Sequence, residues 1–294
     1  MLFRSRSSRI LPFVGRYTVR PASEWLTLHF ARRRATEALS EKASRLWPWI
    51  SRVLLVAAFG GILYAFSKML MLLSQVTGHE LRGIFVGAGA TLLRVAFTLF
   101  LAGLWTIPVG VMIGLKPKLS AVAQPIVQVA ASVPATALFP IILLLLIRAG
   151  GGLGVGSILL LLLGTQWYLL FNVIAGATAI PTDLKEVCNV YRFRRNDRWR
   201  GLFLPGIFPF LITGFVTASG GAWNASIIAE YFHFRGTTYM TTGLGATISN
   251  ATDTGNFRVL LAATIVMAAM VVTINRLVWR RLYNLAATRF KLEN

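Results

Sequence analysis

The sequence predicts an all-α fold, a polytopic membrane bundle with about six transmembrane helices. Its 294 residues are 55% hydrophobic and 14% charged, with a mean hydropathy of +0.65, which is well outside the composition of soluble domains. A membrane core about 30 Å thick requires roughly 20 apolar residues in a helix. Six stretches meet this requirement, near residues 50–73, 84–115, 119–147, 153–179, 203–228 and 258–283.

The positions of the basic residues predict the orientation of this bundle. Of the 30 Lys and Arg residues, 24 lie in the stretches 1–52, 116–118, 180–202 and 276–294. All four stretches fall on one side of a six-helix arrangement, as the positive-inside rule requires of the cytoplasmic side. We therefore expect a multi-pass protein of the bacterial inner membrane with both termini in the cytoplasm.

The net charge of +20 would suggest a nucleic-acid partner in a soluble protein. Here the basic residues lie between and beyond the apolar stretches, which is the arrangement of an oriented membrane protein. We therefore expect the lipid bilayer as a partner, and no nucleic acid.

Three regions follow from this arrangement. Residues 1–47 form a basic N-terminal tail, residues 48–283 the transmembrane domain, and residues 284–294 a cytoplasmic C-terminal tail. The tail lacks the apolar core and cleavage site of a secretory signal, so we expect it to stay in the cytoplasm. The stretch from Ser23 to Trp47 can form an amphipathic helix on anionic lipid, and a solvated basic tail is the alternative.

The polar stretch between the fourth and fifth spans predicts a short extra helix. Pro181 ends the preceding helix, and Thr182 or Asp183 can cap a new one, with Glu186 completing a capping box after Asp183. We expect this helix to run from about Leu184 through residue 191, before a basic run. A short capped helix on the cytoplasmic face is a candidate docking element for a soluble protein, and a solvated linker is the alternative.

This loop, residues 180–205, resembles the cytoplasmic "EAA" loop of ABC importer permeases. Glu186 takes the acidic position of that pattern, Leu202 the isoleucine position, and Leu204 with Pro205 the final Leu-Pro pair, all at the family's spacing. The loop also has the family's position, before the penultimate span.

Three positions depart from the family pattern. Val187 and Cys188 replace two alanines, and Arg192 replaces a glycine, so we expect the turn after the helix to differ from the usual one. The resemblance implies an ATPase-coupling segment that consists of Asp183, Glu186, Val187, Cys188, Val190, Tyr191, Arg192, Leu204 and Pro205.

The flanking spans resemble the nitrate, sulfonate, taurine and bicarbonate branch of these permeases over roughly residues 84–283. The matching stretches are TLLR at 91–94, IPVG at 107–110, SVPA at 132–135, and Trp223 near Glu230. The resemblance implies a type I ABC importer permease-like bundle with a cytoplasmic coupling helix, which forms a pathway for a small anion of that class.

The resemblance also implies the partners. They are cytoplasmic ATP-binding cassette ATPase subunits, a second permease half that is identical or homologous, and a periplasmic or lipid-anchored substrate-binding protein. The chain itself has no GxxxxGK[ST] motif, so it does not cradle nucleotide phosphates. We expect a transport subunit without cofactor, with ATP hydrolysis in a separate polypeptide, and no enzyme.

Polar residues inside spans are costly and are therefore candidates for function. Arg94 requires an anionic partner, a water cavity or an anionic substrate, and Glu230 or Glu80 is the acid that could reach it from the outer end. Snorkelling to the outer headgroups is the alternative. The candidates for the translocation pathway are Arg94, Ser132, Pro134, Thr136, Trp223 and Asn224.

For single Ser, Thr and Asn residues in spans, interhelical hydrogen bonding is the more ordinary role. Pro134 and Pro140 are expected to interrupt the third span, and broken helices in transporters can line a cavity; helix packing is the alternative. The outer loop 229–257 is a candidate contact for the binding protein.

Three other classes of membrane protein compete with this interpretation. A receptor-like or scaffold protein would also lack catalytic groups, but it would not need the spacing of the coupling helix. A polytopic enzyme would need a catalytic cluster, and the sequence offers no HExxH, no paired carboxylates in the spans and three scattered histidines, so we expect neither catalytic nor metal-binding residues. A secondary transporter or channel would need ion-coupling carboxylates or inverted repeats, which we do not find. Association with an ATPase subunit discriminates between the permease and this alternative.

Overall fold

The computed structural model describes residues 41–234 and 236–290. The α-helices of this part of the chain are α1 (Glu41–Ser74), α2 (Gly78–Gly114), α3 (Pro117–Ser132), α4 (Ala135–Arg148), α5 (Leu153–Ala179), α6 (Thr182–Val190), α7 (Arg195–Arg198), α8 (Leu204–Ala229), α9 (Leu244–Asp253), α10 (Phe257–Ile274) and α11 (Arg280–Arg289). Two five-residue π-helical turns, Trp199–Phe203 and Asn275–Trp279, join α7 to α8 and α10 to α11. An antiparallel hairpin of β1 (Tyr231–Phe234) and β2 (Thr237–Met240) follows α8.

The helices confirm the predicted all-α membrane fold. In the described residues, five helices are long and apolar enough to cross a membrane, and the total rises to six if α3 and α4 count as one broken span. Helix α5 has the predicted bounds of the fourth span, and α8 begins and ends within one residue of the fifth. The short hairpin was not predicted. Most of the predicted N-terminal tail, residues 1–40, lies outside the described residues, as do residues 291–294.

The third predicted span is broken at one proline, although the sequence suggested two. Helices α3 and α4 meet at an angle of 76°, and the break lies at Val133, whose backbone is extended because Pro134 follows it. Pro140 lies inside α4. It removes one backbone donor, which a membrane helix tolerates where other groups satisfy the freed carbonyl. The prediction that Pro140 also interrupts the helix is therefore wrong.

The core lies around α5, which packs against α2 on one side and α8 on another. Leu161, Leu169 and Val173 of α5 are fully buried. On α2, glycines allow close approach: a side chain added at Gly110 would meet the Val173 side chain, and one at Gly114 would lie 2.6 Å from the Ile174 carbonyl. Small residues at helix contacts are the usual means of close packing in lipid, where no hydrophobic effect drives helices together.

The chain divides into two units between Lys68 and Met69. In the first unit, the apolar side chains of α1 that the structure describes are exposed, including Leu55 and Val56. A helix that is apolar on all sides is typical of a membrane span. The second unit, from Met69 onward, contains α2 to α11 and the buried core.

Candidate functional site

Helix α6 begins differently from its prediction. Pro181 occupies the N-cap position and no side-chain cap forms, so the expected capping box of Asp183 and Glu186 is wrong. The backbone of Pro181 is extended, with ψ of 143°, and the helix begins at the next residue, so Thr182 and Asp183 fall within the first helical turn. Asp183 still favours the helix through the dipole at its N-terminus. The helix ends at Val190 with the next residue as its C-cap, one residue earlier than expected.

One side of α6 anchors the helix to the bundle. Cys188 is only 6% exposed and belongs to a buried cluster with Ile180, Leu202 and Ile207. Leu202 lies in the π-helical turn before α8, and Ile180 is the C-cap residue of α5. The cluster therefore connects α6 with both α5 and α8.

The other side of α6 is exposed and carries both apolar and acidic side chains. Val190 is 77% exposed and Tyr191 71%, and Val187 is also exposed. The carboxylates of Asp183 and Glu186 lie on the exposed surface as well. This surface of five residues is called the α6 surface below.

The turn after α6 has a backbone conformation that glycine adopts freely. Arg192 has φ of 50°, in the left-handed region that favours glycine at the end of a helix. The backbone N–H of Phe193 donates to the Cys188 carbonyl at 3.0 Å, and Arg198 Nε donates to the Phe193 carbonyl at 3.0 Å. In this chain, Arg192 therefore adopts a backbone conformation that is less strained for glycine.

The remaining predicted coupling residues lie at the start of α8. Leu204 is the first residue of this helix and is exposed, and Pro205 follows it in the first turn. These two residues therefore begin α8 and do not belong to the α6 surface.

A buried ion pair lies at the opposite end of α8. Arg94 of α2 pairs with Glu230, whose side chain is fully buried. The sequence left open an anionic partner, a water cavity or an anionic substrate for Arg94, and the structure contains the anionic partner. Arg94 Nη2 also donates to the Thr242 carbonyl at 3.1 Å. Its place in the translocation pathway remains a proposal.

Glu230 also caps α9, which begins at Leu244. The backbone N–H groups of Gly245 and Ala246, in the first turn of α9, donate to Oε2 of Glu230 at 2.8 and 3.3 Å. Thr91 donates its hydroxyl to Oε1 at 2.8 Å and accepts the N–H of Leu244 at 2.8 Å. Three N-terminal donors of α9, which have no partner within the helix, are thus satisfied by α2 and Glu230. We call this group the Glu230 network.

The other pathway candidates differ in exposure. Ser132, Pro134 and Thr136 flank the break between α3 and α4 and are exposed, as is Asn224 of α8. Trp223 is buried in a hydrophobic cluster. The side chains beside the helix break and that of Asn224 are therefore exposed on the surface of this chain, whereas Trp223 is not.

The outer hairpin carries a small polar group of its own. The Tyr231 hydroxyl donates to Asp253 Oδ2 at 2.9 Å, and this hydrogen bond to a carboxylate raises the pKa of Tyr231. His233 lies 2.8 Å from the Thr238 hydroxyl and 3.7 Å from Asp253. These contacts join β1 to β2 and to the end of α9. In residues 41–234 and 236–290, no group of three His, Cys, Asp or Glu side chains is placed to hold a metal ion.

The profile of one protein family matches more than half of the chain. It is described as "Binding-protein-dependent transport system inner membrane component" and matches residues 106–290, which include α6 and its buried anchor. The chain belongs to this family. It is therefore the membrane permease component of an ABC importer, and the enzyme and secondary-transporter interpretations are set aside.

Named relatives fall in the branch that the sequence resembled. A nitrate import permease protein, NrtB, of Leptolyngbya laminosa is 28% identical over 67% of this chain and 67% of the relative. A bicarbonate transport system permease protein, CmpB, of Synechococcus elongatus is 30% identical over 51% and 52%. The taurine transport system permease protein TauC of Escherichia coli is 29% identical over 62% and 61%. The chain thus spans between about half and two thirds of the length of these relatives.

The fold is also found in a solved structure. A chain of the MetNI methionine ABC transporter, in an inward-facing conformation, superposes with a TM-score of 0.58 at 19% identity, covering 72% of this chain and 99% of that chain. This similarity confirms the predicted type I importer fold.

Proposed function

We propose that this permease component carries a small anion of the nitrate, sulfonate, taurine or bicarbonate class and couples its transport to a cytoplasmic ATPase through α6. The observation that carries the proposal is the two-sided character of α6. Its inner side is anchored by Cys188 between α5 and α8, and its outer side offers exposed Val187, Val190 and Tyr191. An exposed apolar patch on a cytoplasmic helix is a candidate protein contact.

The anchor allows α6 to transmit force. ATP-driven closure of the ATPase subunits would move α6, and because Cys188 packs with Ile180 and Leu202, that movement would pass into α5 and α8. Such a mechanism requires ATP to bind the closed state more tightly than the open one, since a ligand shifts an equilibrium only by its differential affinity. The rigid-body movement of helices is a known form of such transitions.

The anion class rests on relatives and not on a binding pocket of this chain. Relatives named for nitrate, bicarbonate and taurine import support it. The remaining partners, a second permease half and a substrate-binding protein, follow from the family. We also propose that both termini lie in the cytoplasm, because most Lys and Arg residues fall on that side of the six spans. The apolar stretches and the basic residues together support the division into residues 1–47, 48–283 and 284–294.

The test is co-purification of the tagged full chain from its native membrane, followed by ATPase assay and identification of the bound subunits. We compare wild type with Glu186→Ala and Val190→Asp, and with Leu285→Ser as control, because Leu285 is an exposed apolar residue of α11. We expect an ABC ATPase with wild type and Leu285→Ser, and about tenfold less with Val190→Asp, because interface cores do not tolerate an unpaired charge.

Glu186→Ala is expected to weaken the association or to uncouple ATP hydrolysis from transport. Recovery of equal amounts of ATPase with Val190→Asp and wild type would show that the α6 surface is not the contact. Absence of any ABC ATPase from the wild-type preparation would overturn the proposed function.

A further inference from the structure

We propose that the face of the last span formed by Arg276, Trp279, Arg280 and Tyr283, together with α8, binds the headgroup of an anionic phospholipid in the cytoplasmic leaflet. These four residues, with Val216 of α8 and Asn275, line a cavity of about 350 Å³. The volume falls in the range of small-ligand sites. The proposal uses the cytoplasmic position of the C-terminus but is otherwise independent of ATPase coupling.

The sequence spacing places the four side chains on one face. Arg276 lies three and four residues before Trp279 and Arg280, which in turn lie four and three residues before Tyr283, and all four residues line the same cavity. The segment also contains the π-helical turn Asn275–Trp279, and such turns often occur at functional sites. The ring of Trp279 stacks on Phe215 of α8, with centroids 6.2 Å apart and planes 16° apart, so the aromatic contact fixes this face against α8.

Both guanidinium groups lack an anionic partner within the described part of the chain. The ion pairs there are Arg94–Glu230, Arg258–Glu80 and His233–Asp253, and none involves Arg276 or Arg280. Two free arginines one helical turn apart can bind a phosphodiester with planar, bidentate hydrogen bonds.

The depth of the site matches the headgroup layer. Helix α10 has 18 residues, which corresponds to about 27 Å, close to the thickness of the hydrocarbon core. The site begins directly after it. Trp and Tyr are enriched at this interface, and basic pockets between spans on the cytoplasmic side bind anionic headgroups. Exposed Ile265 and Val272 continue the same face of α10 toward the membrane interior, where acyl chains would lie.

The test is native mass spectrometry of the purified full chain with its co-purifying subunits, titrated with phosphatidylglycerol or phosphatidylcholine. We expect preferential retention of phosphatidylglycerol by wild type. A loss of about fivefold is expected for Arg276→Gln or Arg280→Gln alone and about thirtyfold for both. The matched control is Arg281→Gln, an exposed arginine of the same helix that does not line the cavity, and it should retain wild-type binding.

Equal binding of the two lipids, or an equal loss with Arg281→Gln, would overturn the proposal in favour of nonselective charge attraction. Titration with inorganic phosphate separates the sources of the anion: displacement of phosphatidylglycerol by millimolar phosphate would show a site for free anions, and would also overturn the lipid assignment. A melting temperature of the double variant in detergent equal to that of wild type shows that the chain is folded, and this readout keeps the lipid test separate from the test of the proposed function.

Discussion

At the scale of single residues, the Glu230 network shows how a charge is retained at the edge of the membrane. Glu230 forms an ion pair with the guanidinium of Arg94 and accepts hydrogen bonds from the Thr91 hydroxyl and two backbone N–H groups. A buried charge is tolerated when it is both paired and hydrogen-bonded. The network therefore holds the start of α9 against α2, and loss of either charge leaves the other buried without a partner.

We expect Glu230→Ala to lower the stability of the protein by about 3–5 kcal/mol, seen as a lower apparent melting temperature in detergent. Glu230→Gln should lose less, because its carbonyl oxygen can still accept the N–H groups of Gly245 and Ala246. Adding Arg94→Gln to Glu230→Gln should recover part of the loss, since it removes the unpaired cation.

The control for this prediction is Arg258→Gln, which breaks the more exposed pair of Arg258 with Glu80 at 3.3 Å. Exposed ion pairs contribute little because water and salt screen them, so its melting temperature should stay near that of wild type. If Arg258→Gln is as destabilising as Glu230→Ala, burial is not what makes the Glu230 network important.

At the scale of helices, the contact of α2 with α5 depends on glycine at particular positions. A side chain at Gly114 would lie 2.6 Å from the Ile174 carbonyl and 2.7 Å from Cβ of Ala177, whereas one at Gly89 of the same helix would have no neighbour within 4 Å. Backbone atoms cannot move aside as the end of a flexible side chain can. The two glycines therefore provide a matched comparison within one helix.

We expect Gly114→Ala to destabilise the protein by about 1–3 kcal/mol through overpacking. Gly89→Ala should be neutral or stabilising by up to about 1 kcal/mol, because alanine has the higher helix propensity. Thermal unfolding in detergent measures both. Equal effects of the two substitutions would mean that helix propensity, and not the contact with α5, decides the outcome.

At the scale of the whole molecule, the break between α3 and α4 and the exposed polar residues beside it are the proposed pathway. We expect cysteines at Ser132, Thr136 and Asn224 to react with a water-soluble maleimide, and their rates to change when ATP traps the assembled transporter. A cysteine at Thr165, which is buried in α5, is the control and should stay unreactive.

Cys188 is buried, so the native cysteine should contribute little background to this measurement. Labelling rates at all three positions that do not depend on ATP would remove these residues from the pathway. A rate change confined to Asn224 would place the pathway beside α8 and leave the helix break with a packing role.

The sequence by itself determined the membrane fold, because the length and apolarity of each span are local properties that the bilayer selects. Proline and glutamate positions likewise located α6, and its family resemblance followed from residue spacing. The capping of α6 was mispredicted because the helix begins at Thr182, directly after Pro181, which places Asp183 inside the first turn and not at the N-cap. The effect of Pro140 was mispredicted because helices in a bundle can satisfy a freed carbonyl.

The tertiary structure decided which residues meet over long separations. The sequence offered Glu230 and Glu80 as possible partners of Arg94, but Arg94 and Glu230 are 136 positions apart, and only the packing of α2 against α8 and α9 selects Glu230. The same holds for Cys188, whose burial depends on Ile180 and Leu202 closing around it. The local hydrophobic pattern predicts whether a helix lies in lipid or in water. Which side chains contact each other depends on contacts that form only when the helices pack.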